Sequence, residues 1–246
     1  MKVMIITGAS RGIGAAIARA AAAASYAVCV NYRSDEKAAA DVVARINSSH
    51  GRAIAVQGDV AAPDEVARLF AIVADELGTP DVVVNNAGIL ESGGIGTIDQ
   101  NRLQRVFQTN VFGSFYCARQ AVNVMSTKNG GKGGSIINIS SVAAKLGSPG
   151  EYVDYAASKG AIDTMTVGLA KEVAEEGIRV NAVRPGVIYT GIHASGGEPN
   201  RVERVRHSVP MKRGGTAEEI ANAVVWLASD EASYCTGTFL DVSGGR

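Results

Sequence analysis

The sequence predicts an α/β fold: a single doubly wound domain over residues 1–246, with a seven-stranded, mostly parallel sheet flanked by helices on both faces. Seven short runs rich in Val and Ile alternate with longer segments of helical character. Most runs are continuously apolar, which is typical of strands covered on both faces. The repeated order of strand and helix implies parallel pairing with right-handed crossovers. No linker, internal repeat or charge block divides the chain.

The strand predictions depend on β-branched residues bounded by glycine, proline or polar turns. The first strand is VMIIT at 3–7, and AVCVNY at 27–32 follows it after an alanine-rich helical segment. The remaining strands are predicted at 53–60, 81–88, 134–141, 179–186 and 238–245.

Helices are predicted between the strands, at 12–24, 36–47, 63–77, 99–127, 155–176 and 216–228. In the third helix, apolar residues recur at helical spacing as Val66, Leu69, Phe70 and Val73. Pro63 is typical of a first helical position. Gly78 and Gly177 stand where helix C-caps are expected.

One region breaks the alternation of strand and helix. Residues 187–216 are punctuated by glycine and proline and contain one possible short helix at 199–207. Long irregular excursions from a compact domain are often functional lids. We therefore expect a substrate lid at about 187–216.

Composition excludes several classes of protein. The 24 basic and 24 acidic side chains balance, so no bulk charge favours nucleic acid or an anionic membrane as a partner. Cys29, Cys117 and Cys235 lie far apart and form no disulfide framework or zinc cluster. The chain enters the first strand at once, without a signal-peptide pattern, and has no apolar run of the roughly 20 residues that span a membrane. We expect a cytoplasmic protein without a metal site.

The segment TGASRGIG at 7–14 follows the first strand and opens the first helix. In a doubly wound, Rossmann-type fold this turn receives the pyrophosphate of a dinucleotide on the amides of the helix N-terminus. Gly8, Gly12 and Gly14 have a G-x3-G-x-G spacing, which differs from the G-x-G-x-x-G fingerprint. The context nevertheless predicts a dinucleotide site.

The end of the second strand indicates which dinucleotide binds. NAD-binding sites place a carboxylate about 20 residues after the glycines to accept from the ribose hydroxyls. Here the strand ends with Asn31, Tyr32 and Arg33, and no carboxylate occurs before Asp35. Arg11 and Arg33 are suited to bind the 2′-phosphate of NADP, because guanidinium groups bind phosphate bidentately. We expect NADP(H) to be preferred, with NAD(H) use left open.

Two tyrosines precede Lys159, and spacing distinguishes them. Tyr155 is four residues away, on the same helical face and about 6 Å along the axis. Tyr152 is seven residues away, about 10.5 Å along the axis, and just after Pro149-Gly150, where the helix has not necessarily begun. Tyr155 is therefore the candidate acid–base group. For Tyr152, facing the substrate cleft and packing against the lid stay equal alternatives.

Ser140 and Ser141 end the preceding strand. Strand alternation sends their side chains to opposite faces, so only one can point at a substrate. Such a hydroxyl orients a carbonyl oxygen by hydrogen bonding. Both serines stay open on this argument; Ser148 lies too near the loop tip to be a candidate.

Taken together, the motifs of the chain resemble those of the short-chain dehydrogenase/reductase family. They are TGASRGIG at 7–14, GDV at 58–60, NNAG at 85–88, Asn110, NISS at 138–141, YAASK at 155–159 and VNAVRPG at 180–186. They occur in the family's order, and the glycine spacing is the family's own. Within the family, the chain is similar to the bacterial branch of glucose dehydrogenases and 3-oxoacyl-carrier-protein reductases. The resemblance implies NAD(P)(H)-dependent interconversion of an alcohol and a carbonyl, a small-molecule substrate and a homotetramer.

The resemblance also implies the site residues. The catalytic set would be Asn110, as proton relay, with Ser141, Tyr155 and Lys159. Ser141 is chosen as the second serine of NISS, although its distance of fourteen residues from Tyr155 is one more than usual. Tyr155 and Lys159 would also contact the cofactor. The other cofactor residues would be Gly8, Ser10, Arg11, Gly12, Ile13, Gly14, Asn31, Arg33, Asp59, Val60, Asn86, Ala87, Gly88, Pro185, Gly186, Ile188 and Thr190.

The chemistry of this set explains its residue types. Tyrosine has a pKa near 10, and a neighbouring ammonium and an oxidised nicotinamide would both lower it. The lysine would therefore prepare Tyr155 to donate or accept the proton that accompanies hydride transfer.

Two rival functions share the predicted fold. One is a catalytically silent NADP-sensing regulatory protein, against which the complete catalytic set argues. The other is an epimerase or dehydratase, which usually carries a larger substrate region.

The other titratable residues receive ordinary structural roles. His193 and His207 lie in or beside the lid and could contact a substrate, but we expect a solvated role for both. Asp163 and Glu172 are expected to be exposed helix charges or subunit contacts.

Overall fold

The seven predicted strands form one sheet in the computed structural model, which describes residues 1–246. The order is β3-β2-β1-β4-β5-β6-β7, and every neighbouring pair is parallel. This confirms the predicted fold class. The strands are β1 (Val3–Ile6), β2 (Ala27–Tyr32), β3 (Arg52–Gln57), β4 (Val82–Asn85), β5 (Gly134–Ile139), β6 (Ile178–Pro185) and β7 (Phe239–Val242).

Helices cover both faces of the sheet. They are α1 (Gly12–Ala23), α2 (Glu36–Ser48), α3 (Pro63–Glu76), α4 (Gln100–Phe107), α5 (Gly113–Met125), α6 (Ala143–Leu146), α7 (Val153–Val173), α8 (Ile192–Ser195), α9 (Arg201–Val205) and α10 (Ala217–Ala228). None of them is both long and apolar enough to cross a bilayer.

The alternation of side chains along β1 divides the core into two halves. Met4 and Ile6 pack on the face covered by α1, α2 and α10. Val3 and Ile5 pack on the opposite face, with residues of α3, α5 and α7. Because both faces are covered, the strand is apolar at every position, as the continuous run predicted.

The single helix predicted at 99–127 is wrong in one respect. A π-helical turn, Gln108–Phe112, separates α4 from α5. Asn110 lies inside this turn with its side chain fully buried. π-turns interrupt α-helices mostly at functional sites, and helical spacing of apolar residues does not reveal them.

Several strands end up to three residues earlier than predicted. The residues after β3, β4 and β7 are loops rather than further strand. At these carboxyl ends the chain leaves the sheet, and the order reverses between β1 and β4. In doubly wound sheets, ligands bind in the crevice at such a switch point.

The region predicted to be a lid folds as short helices. The expected helix at 199–207 is α9 followed by a 3-10 turn at Arg206–Ser208, and α8 precedes them. A small apolar cluster of Val187, Val202, Val205 and Val209 holds the segment together.

Candidate active site

A cleft of about 1930 Å³ opens at the carboxyl ends of the strands. Its walls come from the loops after β1, β2, β3, β4, β5 and β6, from the start of α7 and from the lid. Every site residue expected from the sequence lines this cleft except Asn110, which lies behind its wall.

The glycine loop is shaped to receive an anion. Gly8 and Gly12 have φ of +61° and +57°, in the left-handed region. A Cβ on Gly14 would lie 2.5 Å from Asn86 Nδ2 and 2.6 Å from Gly8 O, so only glycine fits there. Arg11, the N-cap of α1, makes no side-chain capping bond, which leaves the first amides of the helix available to a ligand.

Two asparagines hold this loop in place. Asn86 Nδ2 donates to Thr7 O (2.7 Å) and Gly8 O (3.0 Å). Asn31 Oδ1 accepts from Gly8 N (3.2 Å), and its Nδ2 donates to Val56 O and Gly58 O. The side chain of Asn31 therefore has its hydrogen-bonding groups engaged inside the protein. It braces the loop, and its expected contact with the cofactor stays a prediction.

The far end of the cleft carries unpaired positive charge. Arg11 and Arg33 are exposed residues of the cleft wall, and neither forms an ion pair. The carboxylate of Asp35 accepts from Ala38 N and caps α2. Asp59 and Val60 line the neighbouring wall, where Asp59 Oδ1 accepts from Ala61 N.

The segment after β6 forms the opposite side of the cradle. Pro185, Gly186, Ile188 and Thr190 line the cleft there, and Thr190 stands against Gly12, with 3.6 Å between its Cβ and the position of a Cβ on Gly12. The hydroxyl of Thr190 is buried and has no hydrogen-bond partner. A buried polar atom without a partner is costly. The unpaired hydroxyl and the glycine cradle both fit a dinucleotide bound between them.

Tyr155 and Lys159 are buried at the base of the cleft. Lys159 Nζ lies 5.6 Å from the centroid of the Tyr155 ring and donates to Ile139 O (2.7 Å). Burial lowers the pKa of Lys159 to about 8. Burial raises the pKa of Tyr155, and the Ser141 hydroxyl acts in the opposite direction. Without a ligand, Tyr155 is therefore a neutral phenol that can donate a proton.

The two serines face different partners, as strand alternation requires. Ser140 Oγ donates to Asp163 Oδ1 (2.6 Å) and lies 3.3 Å from Lys159 O. Ser141 Oγ lines the cleft beside Tyr155 and accepts from Ala143 N (3.1 Å). Both serines line the cleft, but the Ser140 hydroxyl is bonded to the Asp163 carboxylate, whereas the Ser141 hydroxyl lies beside Tyr155.

Asn110 connects the cleft wall to α7. Its Oδ1 accepts from Ile89 N (2.8 Å), and its Nδ2 donates to Ile89 O (2.9 Å) and Ser158 Oγ (3.0 Å). A Cβ on Gly88 would lie 3.3 Å from Asn110 Oδ1 and 3.5 Å from Lys159 Nζ. The absence of a side chain at Gly88 keeps the space between these two groups open.

The sequence left open whether Tyr152 faces the cleft or packs against the lid, and in the structure it does both. It lines the cleft and meets the Tyr155 ring edge-on, with 5.5 Å between centroids. The guanidinium of Arg201, in the lid, lies 4.7 Å from the centroid of its ring. The phenol therefore both forms a wall of the cleft and packs against the lid.

Ion pairs fasten the lid to the start of α7. Arg201 donates to Glu151 Oε2 (2.6 Å) and Glu198 Oε2 (3.2 Å). Arg204 donates to Glu151 Oε1 (2.8 Å) and to Glu198. We call these four residues the lid clasp.

Two titratable residues are less exposed than the sequence predicted. His193 is buried in the cleft wall, where burial lowers its pKa, although a solvated role was expected. Asp163 is a partly buried partner of Ser140 and Arg184 rather than the exposed charge that was one of its two expected roles. Helical position alone did not show that a strand end covers Asp163. His207 and Glu172 are exposed.

Sequence reasoning also missed supporting residues. Ser158 accepts from Asn110 and donates to Tyr155 O (2.7 Å). Arg102 and Asp154 form a buried ion pair (2.8 Å) between α4 and α7. Ser158 stands inside the YAASK motif, which could have drawn attention to it. The pairing of Arg102 with Asp154 crosses 52 residues and has no local signal.

Comparisons with known proteins agree with this geometry. Residues 8–246 match the model of the enoyl-(acyl carrier protein) reductase family. The chain is 53% identical to the uncharacterized oxidoreductase YgfF of Escherichia coli K12, over all of both chains. It is similar to the NADPH complex of a blue fluorescent protein from a metagenomic library (35% identity, TM-score 0.90, 99% and 97% coverage). It also resembles a Serratia marcescens short-chain dehydrogenase/reductase double mutant (31% identity, TM-score 0.91, 99% and 97% coverage).

Proposed function

The chain belongs to the short-chain dehydrogenase/reductase family, and we propose that it interconverts a secondary alcohol and a carbonyl with NADP(H), with Tyr155 as general acid and base. The family makes it an oxidoreductase that binds a nicotinamide cofactor. One observation supports the proposed reaction: Ser141, Tyr155 and Lys159 line the same cleft as the glycine loop.

The proposed reaction divides between the cofactor and the protein. When bound, the nicotinamide supplies or accepts the hydride. In reduction, the Tyr155 hydroxyl donates its proton to the oxygen of the carbonyl, and in oxidation it accepts the proton of the alcohol. Ser141 Oγ donates a hydrogen bond to the same oxygen and orients it.

Lys159 supports the proton transfer electrostatically. Its ammonium, 5.6 Å from the Tyr155 ring centroid, stabilises the phenolate that remains when the proton has left. Asn110 Oδ1 and Lys159 Nζ border the open space at Gly88, which supports Asn110 as the proton-relay residue behind Lys159.

The preference for NADP(H) over NAD(H) is supported by charge. Arg11 and Arg33 have no carboxylate partner, so a 2′-phosphate would supply the missing negative charge. Asp35, an acidic residue of the same wall, is engaged as the N-cap of α2.

We also propose a homotetramer, as in the family. Phe115 on α5 and Trp226 on α10 are large apolar side chains that are 50% and 40% exposed. A second copy of the chain would cover them. Light scattering after size-exclusion chromatography measures the mass and tests this directly.

The function is tested by a substrate panel and one substitution. NADPH absorbance is followed with ketones, aldehydes, sugars and β-ketoacyl thioesters. We expect turnover with at least one class, and a loss of about 10³-fold in Tyr155→Phe with NADPH affinity retained. Tyr234→Phe, at a fully exposed tyrosine outside the cleft, is the matched control. Undiminished turnover in Tyr155→Phe would overturn the assignment, and tight NADPH binding without turnover would favour the silent sensor.

A further inference from the structure

Asp163 is the centre of a polar network beneath the cleft. It follows Lys159 by one turn of α7, and both of its carboxylate oxygens are engaged. Oδ1 accepts from Ser140 Oγ (2.6 Å), and Oδ2 accepts from Arg184 Nη2 (2.8 Å) and Nε (3.0 Å). The side chains of Asp163 and Arg184 are each only 14% exposed. Short, two-pronged bonds to a charged group are the stronger kind of hydrogen bond.

The three residues come from the three elements that bear the proposed machinery. Ser140 precedes Ser141 at the end of β5, and Arg184 precedes Pro185 and Gly186 at the end of β6. Asp163 lies on the same helix as Tyr155 and Lys159. The network therefore ties both strand ends to the helical turn that carries the lysine.

The network also explains why the hydroxyls of Ser140 and Ser141 have different partners. Asp163 and Lys159 O engage the hydroxyl of Ser140, so this hydroxyl already has its partners within the protein. The next residue of the extended chain then projects to the opposite face. A fixed Ser140 thus fixes the direction of Ser141.

The charges around Lys159 are few. On its own helix, Tyr155 and Asp163 face it, and the nearby residues of β5 and the π-helical turn are Ser140, Ser141 and Asn110, which carry no charge. The Asp163 carboxylate opposes the effect of burial on the pKa of Lys159.

Beyond Asp163, charge of alternating sign continues to the surface. The Arg184 guanidinium lies 3.8 Å from the Phe239 ring centroid, and its Nη1 is 3.6 Å from Asp241 Oδ1. Asp241 in turn accepts from Lys145 (2.9 Å). Arg184 is therefore held from three sides, by Asp163, Phe239 and Asp241.

We propose that Asp163 is a positioning residue of the reaction, which joins the ends of β5 and β6 to α7 and sets its negative charge beside the buried ammonium of Lys159. This inference rests on the proposed function, because it concerns Lys159 as a catalytic group. Asp163 itself touches neither substrate nor cofactor.

Asp163→Asn is the primary test, because it keeps the shape and removes the charge. Without the carboxylate, Lys159 loses its proton at lower pH. We expect the titration midpoint of Lys159, followed by its ε-carbon NMR resonance, to fall by about one pH unit. The pH at which kcat/KM for carbonyl reduction falls on the alkaline side should decrease by the same amount. The affinity for NADPH should stay within about twofold of the wild-type value.

Charge-matched variants separate this effect from simple loss of packing. Arg184→Gln removes the positive charge that offsets the charge of Asp163. The titration midpoint of Lys159 should therefore rise. Asp163→Asn/Arg184→Gln removes one charge of each sign and should return the midpoint to within about 0.3 pH unit of wild type. Ser140→Ala should lower kcat without moving the pH profile. Glu172→Gln, at an exposed carboxylate of the same helix, is the matched control.

The outcomes are distinguishable. An unchanged Lys159 midpoint and pH profile in Asp163→Asn would overturn the inference, as would failure of the double variant to restore them. If Asp163→Asn does not fold, the inference is tested by the expected rise of the Lys159 titration midpoint in Arg184→Gln. An unchanged midpoint in that variant would overturn the inference. Full turnover in Tyr155→Phe would instead refute the proposed function, while the Lys159 titration would still report on Asp163.

Discussion

The two halves of the cleft are built by different physical means. On the cofactor side, the backbone itself forms the site: glycines at left-handed φ, free helix amides, and Asn31 and Asn86 bonded to main-chain groups. On the substrate side, long charged side chains close the site through the lid clasp. A backbone cradle has one shape, whereas side-chain ion pairs can separate and reform. We therefore expect cofactor binding to be preorganised and access of the substrate to depend on charge.

The largest effect is expected on the cofactor side, from Gly14→Ala. The new Cβ would meet Asn86 Nδ2 and Gly8 O at 2.5 and 2.6 Å, and backbone cannot yield cheaply. We expect NADPH affinity to fall by more than about 100-fold, measured by fluorescence titration. Gly168→Ala is the control, since nothing lies within 4 Å of its Cβ and alanine stabilises a helix by about 1 kcal/mol. Equal affinity in both variants would contradict a rigid cradle.

The next largest effect concerns the positive charge of Arg33 on the cofactor side. Arg33→Ala should weaken NADP(H) by about tenfold to 100-fold and NAD(H) by less than about threefold, because only NADP(H) carries the 2′-phosphate. Isothermal titration with both cofactors measures the difference. Equal losses for the two cofactors would refute the contact.

On the substrate side, Arg201→Met should weaken the lid clasp. It leaves Arg204 as the remaining cation between Glu151 and Glu198 and removes the cation above Tyr152. We expect the KM of the carbonyl substrate to rise about tenfold with the Kd of NADPH unchanged. Lys128→Met, which breaks an exposed ion pair with Glu176, is the control. A matching loss of NADPH affinity would show that the two halves are not independent.

The smallest effect is the response of the lid to acid. Hydrogen bonding from Arg201 lowers the pKa of Glu151 to about 2. A depressed carboxyl pKa stabilises the fold above the unfolded value of about 4.3, and this contribution is lost as pH falls towards 2. We expect hydrogen exchange, corrected for intrinsic rates, to speed up more at 187–216 than at 7–14 between pH 5 and about 3.

The residue that titrates can be removed as a check on this prediction. In Glu151→Gln the extra acid sensitivity of the lid should shrink, because the amide does not ionise. A lid that responds equally in both proteins would assign the effect to other carboxylates.

The same contrast explains what the sequence could predict. The sheet, most helices and the cofactor side were predictable, because continuous apolar runs and glycine spacing are local signals. The lid clasp, the pair of Arg102 with Asp154 and the network of Asp163 were not. Each joins residues that are distant in the chain, and a charged side chain at a helical position looks the same whether or not a partner reaches it. The engagement of Asn31 inside the protein was missed for the same reason.

The π-helical turn at Gln108–Phe112 has a consequence for the length of the chain. Such a turn holds one more residue than the α-helix that it interrupts. Deleting a single residue there would restore a regular helix, turn Asn110 by about 100° and break its two bonds to Ile89. We therefore expect an insertion or deletion of one residue before Asn110 in this helix to break these bonds. The site therefore constrains the number of residues as well as their identity.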